Sequence, residues 1–189
     1  MKKKIVLIGG SPREGANSDQ VIREAEQVIT DAGGEAEIFT IREKKFGYCM
    51  ACDSCKNGKA ECVQKDDASY IIEKLKHCDG ILLASPVYFG HIPGTVKTLI
   101  DRFYVLFQPK LGPQYDEKET KRLGIVFSFG GGPYEEYAKV AEEVAEFFKV
   151  TGVNEHQVVL CGGNNEKTSY LKNQEYRENV KQVTKWLVK

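Results

Sequence analysis

The stretch KIVLIGGSPREGANS, residues 4–18, decides the fold of this chain. Its first part, Lys4–Gly9, is a short and mostly apolar run, which is typical of parallel strands that helices cover on both faces. A turn of small and polar residues follows, and helical periodicity begins at Ser18. A strand that enters a helix through such a turn predicts the first unit of an α/β fold with a parallel sheet.

The same alternation of strand and helix continues along the chain. Strands are predicted at residues 4–9, 35–41, 80–85, 122–127 and 157–161, and helices at 18–32, 67–77, 94–107, 134–151 and 173–188. A chain of 189 residues that is 41% hydrophobic can bury one substantial core, and no repeat or linker divides it. We therefore expect a single domain over residues 1–189, with long inserts at 46–66 and 108–121.

The turn from Gly9 to Ser18 has the composition of a phosphate site. Small residues let the backbone wrap closely, hydroxyl and amide groups at a helix start donate to an anion, and the helix dipole favours it. Neither G-x-G-x-x-G nor a P-loop ending in Gly-Lys-Ser/Thr is present, which disfavours a dinucleotide fold and an NTPase. The phosphomonoester of FMN fits best. The alternative is an ordinary polar turn in which Asn17 or Ser18 caps the helix.

Two further loops are expected beside this turn, because ligands of open parallel sheets collect beyond the carboxyl ends of the strands. The loop Ser85–Gly94 holds aromatic and backbone groups between two prolines. These groups offer a flat apolar wall with amide donors, as an isoalloxazine ring requires. The loop Ser128–Pro133 carries consecutive glycines that permit close approach to a ring edge. An aromatic loop by itself more often packs than binds, so this interpretation depends on its place opposite the phosphate turn.

Four cysteines lie close together in CMACDSCKNGKAEC, residues 49–62. Three thiols at three-residue steps can converge on one small object, and a fourth can close the cage around an iron–sulfur cubane. Tetrahedral zinc also accepts four thiolates, although structural zinc sites usually set two cysteine pairs well apart. Free or reversibly oxidised thiols are a third interpretation. The pattern alone leaves all three open, whereas Cys78 and Cys161 are expected to be packing residues.

Charge and composition limit the partners. The chain has 27 basic and 27 acidic side chains, so its bulk charge favours neither nucleic acid nor an anionic membrane. We expect small molecules or proteins as partners. The apolar run near the N-terminus is too short for a signal-peptide core, and no stretch approaches a membrane span. These observations predict a cytoplasmic protein, in which six cysteines are thiols, ligands or redox groups and not structural disulfides.

Several motifs together resemble one family. They are Gly10-Ser11-Pro12-Arg13 with Asn17-Ser18 downstream, the spaced cysteines followed by Asp66-Asp67, the run Ser85 to Phe89, and Lys97 with Ile100-Asp101-Arg102. Over residues 3–161 the chain is similar to the flavodoxin-like NADPH-dependent FMN reductase superfamily. Within it the chain most resembles the iron–sulfur flavoprotein branch, whose compact cysteine motif has this spacing.

The resemblance implies a flavodoxin-like three-layer sandwich with a five-stranded parallel sheet in the order 2-1-3-4-5. It also implies FMN bound without a covalent link, in a homodimer or homotetramer with the flavin near a subunit interface. The loop Ser128–Pro133 adds Ser128 and Gly130 to the expected FMN contacts. By position, the other FMN-binding residues would be Ser11, Arg13, Asn17 and Ser18 at the phosphate, and Pro86, Val87, Tyr88, Phe89 and Gly90 at the ring. The ligands of a 4Fe-4S cluster would be Cys49, Cys52, Cys55 and Cys62.

The expected function is that of an FMN-dependent oxidoreductase. It would take electrons from NAD(P)H and pass them to a small quinone-like acceptor or to a ferredoxin-type redox protein. The alternative is a flavodoxin-like electron carrier without a small substrate of its own. The flavin does the chemistry in either case, so no side chain is assigned as a catalytic residue. The aromatic run Phe103 to Phe107 cannot face inward all round a helix, which predicts a subunit interface there.

Overall fold

Five parallel strands form one sheet in the order β2-β1-β3-β4-β5, which confirms the order that the resemblance implied. The computed structural model describes residues 2–189. The strands are β1 Lys4–Gly9, β2 Glu35–Thr40, β3 Gly80–Pro86, β4 Arg122–Ser128 and β5 Glu155–Cys161. The helices are α1 Asn17–Asp31, α2 Asp67–His77, α3 Gly94–Arg102, α4 Tyr134–Phe148, α5 Ser169–Lys172 and α6 Gln174–Leu187. Short 3-10 turns lie at Ile41–Glu43, Ser54–Lys56, Phe103–Val105 and Lys149–Thr151.

Helices cover both faces of the sheet, because successive side chains of a strand point to opposite faces. In β1, Val6 and Ile8 pack in one core with α2, α3 and α4. Ile5 and Leu7 point the other way and pack in a second core with α1 and α6. β3, in the middle of the sheet, is buried over its full length. The arrangement is the predicted three-layer sandwich.

The third predicted helix ends earlier than expected. α3 stops at Arg102, and a tighter 3-10 turn follows. Residues three apart lie on the same side of such a turn, so Phe103 and Leu106 are both buried. The run that cannot face inward as one helix is thus divided between core and surface. The side chains left exposed are Tyr104 and Phe107.

The helix layer on the α1 side holds two differences from the prediction. α1 follows Ala16, and neither Asn17 nor Ser18 caps it through its side chain. The segment after β5 forms α5, a short helix that was not predicted, and α6, which confirms the helix predicted at residues 173–188; both pack on α1. None of the helices described within residues 2–189 combines the length and the apolar character needed to cross a membrane.

Candidate functional site

The loops that follow β1, β3 and β4 meet around a small pocket of about 60 Å³. They meet at the carboxyl edge of the sheet, where parallel α/β proteins bind their ligands. Phe89 and Gly90 lie outside its lining, whereas Ala16, Phe129 and Asn164 join it without having been predicted. The predicted residues that the pocket brings together are Ser11, Arg13, Asn17, Ser18, Pro86, Val87, Tyr88, Ser128 and Gly130.

Ser18 gives the strongest indication of a ligand in this pocket. The residue is only 2% exposed, yet its Oγ has no hydrogen-bond partner within residues 2–189. The first amides of α1 have no acceptor inside the helix, and Ala16 offers no side-chain cap. An unpaired buried hydroxyl is costly, and an anion that accepts from Ser18 and from the helix amides removes that cost. The residues present therefore fit a phosphate group.

An ion pair holds the phosphate turn in shape. Asp19 Oδ2 accepts a hydrogen bond from the Gly15 N–H at 2.7 Å, and Gly15 has a φ of +67° that favours glycine. The other oxygen, Asp19 Oδ1, accepts from Arg42 Nη1 at 2.9 Å. Arg42 Nη1 also lies 3.5 Å from the Ser11 carbonyl oxygen. The turn is thus tied to the residues that follow β2.

Asn17 is placed differently from expectation. Its Nδ2 donates to the carbonyls of Glu166 at 2.8 Å and Asn164 at 3.4 Å, and its Oδ1 accepts from the Tyr170 N–H at 3.0 Å. The side chain therefore holds the C-terminal segment against the start of α1. Asn17 is the first residue of α1, so its backbone N–H has no acceptor inside the helix. A phosphate contact by the Asn17 side chain stays a prediction.

The loop after β3 forms a tight hairpin beside the pocket. Tyr88 and His91 exchange two backbone hydrogen bonds, at 2.8 and 3.1 Å. The tip residues Phe89 and Gly90 have φ values of +49° and +80°, as a type I′ turn requires. Phenylalanine rarely adopts this conformation, and the Phe89 side chain is fully exposed at the tip. Contact of Phe89 and Gly90 with a flavin ring stays a prediction.

The cysteine loop, defined as residues 46–66, is attached to the chain around the end of α3. Lys56 Nζ donates to the Tyr104 carbonyl and lies 3.8 Å from the centre of the Tyr104 ring. Gln108 Nε2 donates to the Cys55 carbonyl at 2.8 Å. These contacts hold the middle of the loop against the residues that follow α3.

Arg102, the last residue of α3, holds the C-terminal end of the cysteine loop. Its Nη1 and Nη2 donate to the two carboxylate oxygens of Asp66 at 2.7 and 3.0 Å. Nη2 also lies 3.4 Å from Cys62 Sγ. Burial disfavours both charges, but the hydrogen bonds between the partners outweigh it, so the pKa of Asp66 falls and the pKa of Arg102 rises. Both groups are therefore charged at neutral pH.

The thiols of the cysteine loop are free and differ in their surroundings. Cys52 is exposed, and hydrogen bonds with Ser54 lower the pKa of its thiol. Cys55 is buried, and that burial raises the pKa of its thiol. The remaining cysteines, Cys78 and Cys161, belong to the two hydrophobic cores.

The donor set of the cysteine loop fits an iron–sulfur cluster in its chemistry. It supplies four free thiols, and beside Cys62 the buried Arg102 keeps an Nε–H without an acceptor within residues 2–189. Within residues 2–189, no three His, Cys, Asp or Glu side chains are grouped closely enough to hold a metal ion. The ligand set Cys49, Cys52, Cys55 and Cys62 therefore stays a prediction.

Sequence reasoning missed the Asp19–Arg42 pair and Asn164. The role of Asp19 could have been recognised from its position, since an acidic side chain in the first turn of a helix can reach back to the preceding amides. No local sequence pattern indicated Arg42 or Asn164, because they contact the start of α1 only after the chain has folded.

The fold and the site together define a class of protein. A five-stranded parallel sandwich with a phosphate-type turn at the start of α1 is a flavodoxin-like fold. The model of the family described as NADPH-dependent FMN reductase matches residues 3–165, and the chain belongs to that family. It is accordingly a flavin-dependent oxidoreductase.

Iron–sulfur flavoproteins are among its relatives. One from Methanocaldococcus jannaschii is 31% identical over 167 residues, which cover 88% of this chain and 80% of that protein. Another, from Archaeoglobus fulgidus, is 34% identical over 149 residues, which cover 79% of this chain and 73% of that protein.

Solved structures confirm the fold. The NAD(P)H:quinone oxidoreductase from Methanothermobacter marburgensis superposes with a TM-score of 0.76 at 15% identity, over 99% of this chain and 98% of that one. An FMN-dependent NADH-azoreductase from Bacillus anthracis, solved with FMN, gives 0.72 at 16% identity, over 99% of this chain and 100% of that one. At these identities the likeness concerns the fold alone.

Proposed function

We propose that this chain is an NAD(P)H-dependent FMN oxidoreductase that binds the FMN phosphate at the start of α1 and passes electrons to a small quinone-like acceptor or a redox protein. The observation that carries the proposal is Ser18, a buried hydroxyl without a partner within residues 2–189, at a helix N-terminus. Family membership supports FMN as the cofactor, and the pocket around Ser18 supports its location. The proposal takes residues 1–189 as one cytoplasmic domain with its insert at 46–66.

Bound FMN supplies the redox chemistry, and the protein binds the cofactor and sets the electrostatic environment around it. Ser18 and the first amides of α1 donate to the phosphate, and Ser11 supports the turn by bonding to Arg13 at 3.2 Å. The exposed Arg13 guanidinium at the pocket complements the phosphate charge. No side chain acts as a general acid or base. The proposed ring contacts are Pro86, Val87, Tyr88, Phe89, Gly90, Ser128 and Gly130.

The proposal includes a 4Fe-4S cluster in the cysteine loop, held by Cys49, Cys52, Cys55 and Cys62. The names of the relatives support it, and so does the loop's supply of four free thiols. Zinc and unligated thiols are the competing interpretations. The visible spectrum of anaerobically purified protein, with iron, sulfide and zinc assays, separates the three.

A homodimer or homotetramer is also proposed, with contacts near the cysteine loop. Tyr104, Phe107 and Leu111 expose 40%, 55% and 47% of their surface on neighbouring stretches of the chain. Exposed apolar side chains of this kind favour contact with another protein surface. Analytical sedimentation at micromolar protein concentration tests the oligomeric state. A monomer of 21.2 kDa that retains FMN would contradict the proposed oligomer.

The activity is tested by mixing the FMN-loaded protein with NADH or NADPH and a benzoquinone. We expect steady oxidation of the nicotinamide cofactor, followed at its absorbance band, in proportion to the quinone present. Reduction of the flavin by a reduced ferredoxin only, with no nicotinamide oxidation, would favour the electron carrier instead.

A further inference from the structure

Asn164, in the loop after β5, lines the pocket at the start of α1 and is held there by three hydrogen bonds. Its backbone N–H donates to the Phe129 carbonyl at 2.9 Å. Its carbonyl accepts from Asn17 Nδ2 at 3.4 Å, and its side-chain Nδ2 donates to the Cys161 carbonyl at 3.0 Å. These contacts fix both the backbone of Asn164 and the orientation of its side-chain amide.

The remaining polar atom of Asn164, Oδ1, has no donor within residues 2–189, and it is open to the pocket. Among the described residues, the side-chain nitrogen and oxygen atoms that are sealed from solvent without a partner are Ser18 Oγ and Arg102 Nε. Oδ1 is therefore not sealed, although Asn164 as a whole is only 6% exposed. The open space that Asn164 lines is the pocket, so Oδ1 faces a ligand bound there.

An amide oxygen accepts hydrogen bonds and cannot donate them. The oxygens of a phosphate dianion are acceptors as well, so Oδ1 of Asn164 cannot serve the phosphate that Ser18 is suited to bind. A ligand that satisfies both residues needs an anionic group and, beside it, a hydroxyl donor. FMN has this combination, because a hydroxylated ribityl chain joins its phosphate to its ring.

We infer that Asn164 is a specificity-determining residue whose Oδ1 accepts a hydrogen bond from a ribityl hydroxyl of FMN. This inference rests on the proposed function, since it takes the phosphate to lie at Ser18. It gives the loop after β5 a part in choosing the ligand. A flavin without a ribityl chain, or inorganic phosphate alone, lacks the donor that Asn164 requires and leaves its oxygen unpaired.

Asn164→Leu tests the role, because leucine is similar in size and has no amide. The Cys161 carbonyl keeps its hydrogen bond from the Phe129 N–H at 3.1 Å, so the change does not leave that carbonyl unpaired. Fluorescence titrations of the apoprotein compare FMN with riboflavin, which lacks the phosphate, and with lumiflavin, which lacks the ribityl chain. We expect FMN and riboflavin to bind the variant about tenfold more weakly, as the loss of one hydrogen bond implies. Lumiflavin should bind both proteins equally.

Asn154→Leu is the matched control. Asn154 also bonds to the backbone, since its Oδ1 accepts from the Lys121 N–H and its Nδ2 donates to the Glu119 carbonyl, both at 3.0 Å. It precedes β5 and so lies at the opposite edge of the sheet from the pocket. The affinity of this variant for all three flavins should match that of the parent protein.

A second measurement uses the unmutated protein, so it stands even if the Asn164→Leu variant does not fold. A flavin whose phosphate is carried on a pentyl chain without hydroxyls should bind at least about tenfold more weakly than FMN.

Three results would overturn the role of Asn164 and leave the proposed function intact. They are equal binding of FMN and the pentyl analogue by the parent, unchanged affinities in a folded Asn164→Leu variant, and a loss in that variant that is the same for all three flavins or confined to FMN. A parent apoprotein that binds FMN no more tightly than lumiflavin would overturn the proposed phosphate site together with this inference.

Discussion

The Arg42 guanidinium lies 2.9 Å from Asp19 Oδ1, and the other oxygen of that carboxylate accepts the Gly15 N–H at 2.7 Å. Asp19 stands in the first turn of α1, where its charge would repel a phosphate if it were unpaired. Arg42 neutralises that charge, while Asp19 keeps the turn closed through Gly15. The pair therefore lets an acidic side chain shape an anion site without opposing the anion.

Replacing Arg42 with alanine should weaken FMN binding selectively through the phosphate. The unpaired Asp19 then opposes the dianion, and we expect a loss of about 1.5 to 3 kcal/mol, the range for hydrogen bonds to charged groups. Fluorescence titrations of apoprotein with FMN and with riboflavin measure the difference, since riboflavin lacks the phosphate. Arg23→Ala, an exposed change on α1, is the control. An equal loss for both flavins would contradict the role of the pair.

Ser18→Ala should affect the apoprotein and the FMN complex in opposite ways. The Oγ has no partner within residues 2–189, so its removal should leave the stability of the apoprotein unchanged or slightly higher. FMN affinity should fall about tenfold, because a charge-assisted hydrogen bond of about 1.5 kcal/mol is lost. Thr184→Val removes a hydroxyl that bonds the Val180 carbonyl at 2.8 Å. The Thr184→Val control should destabilise the apoprotein and leave FMN affinity intact. If Ser18→Ala gave the same result, the FMN phosphate would have to bind somewhere other than at Ser18.

Asn17→Ala should behave in the opposite way to Ser18→Ala. The Asn17 side chain bonds to Asn164, Glu166 and Tyr170, and its loss leaves buried backbone groups unpaired. We expect the apoprotein to lose about 2 kcal/mol of unfolding free energy in urea. An apoprotein as stable as the parent, with weaker FMN binding, would show that the side chain serves the phosphate after all.

Cys62→Ser should lose the cluster, because a cubane held by four cysteines needs a thiolate on each iron. Iron and sulfide per FMN, measured after anaerobic reconstitution, should fall sharply. Cys161→Ala is the control: Cys161 is fully buried, and burial raises the pKa of its thiol to about 12, so it is a poor source of thiolate. Full iron in Cys62→Ser, with loss in Cys161→Ala, would reverse the assignment.

The sheet and its two cores could be predicted because they follow local periodicity. In β1, alternate apolar residues such as Ile5 and Val6 face opposite helix layers, and this needs no knowledge of distant residues. The strand order came from the family resemblance and not from the pattern. The pocket could be predicted as well, because strands of one parallel sheet end at the same edge.

Contacts between distant residues could not be predicted in the same way. Arg42 meets Asp19, and Asn17 meets Tyr170, only because the sheet and α5 bring them together. α3 is also shorter than predicted. Apolar periodicity does not distinguish an α-helix from the tighter 3-10 turn that buries Phe103. Polar networks of this kind depend on tertiary placement, so a single sequence leaves them open.

Glu24 should make the stability of the protein depend on pH in the acid range. Its carboxylate accepts hydrogen bonds from the Tyr170 hydroxyl and from Arg177 Nε and Nη2 at 3.1 and 2.9 Å. Burial disfavours the charge, but these bonds outweigh it and hold the pKa of Glu24 below its usual 4.5. The stabilisation is therefore complete above about pH 4.5 and is lost as the pH falls through the lower pKa of the folded state.

Glu24→Gln should accordingly lower the free energy of unfolding by about 1.5 to 3 kcal/mol at pH 7, the range for hydrogen bonds to charged groups. Urea unfolding of parent and variant apoprotein at pH 7 and at a series of values below 4.5 measures the difference. We expect the two proteins to converge as the pH falls, because protonated Glu24 no longer attracts Arg177. Glu178→Gln, an exposed change on α6, should match the parent throughout. A constant gap between Glu24→Gln and the parent at every pH would mean that packing, and not the charge on Glu24, holds the C-terminal segment on α1.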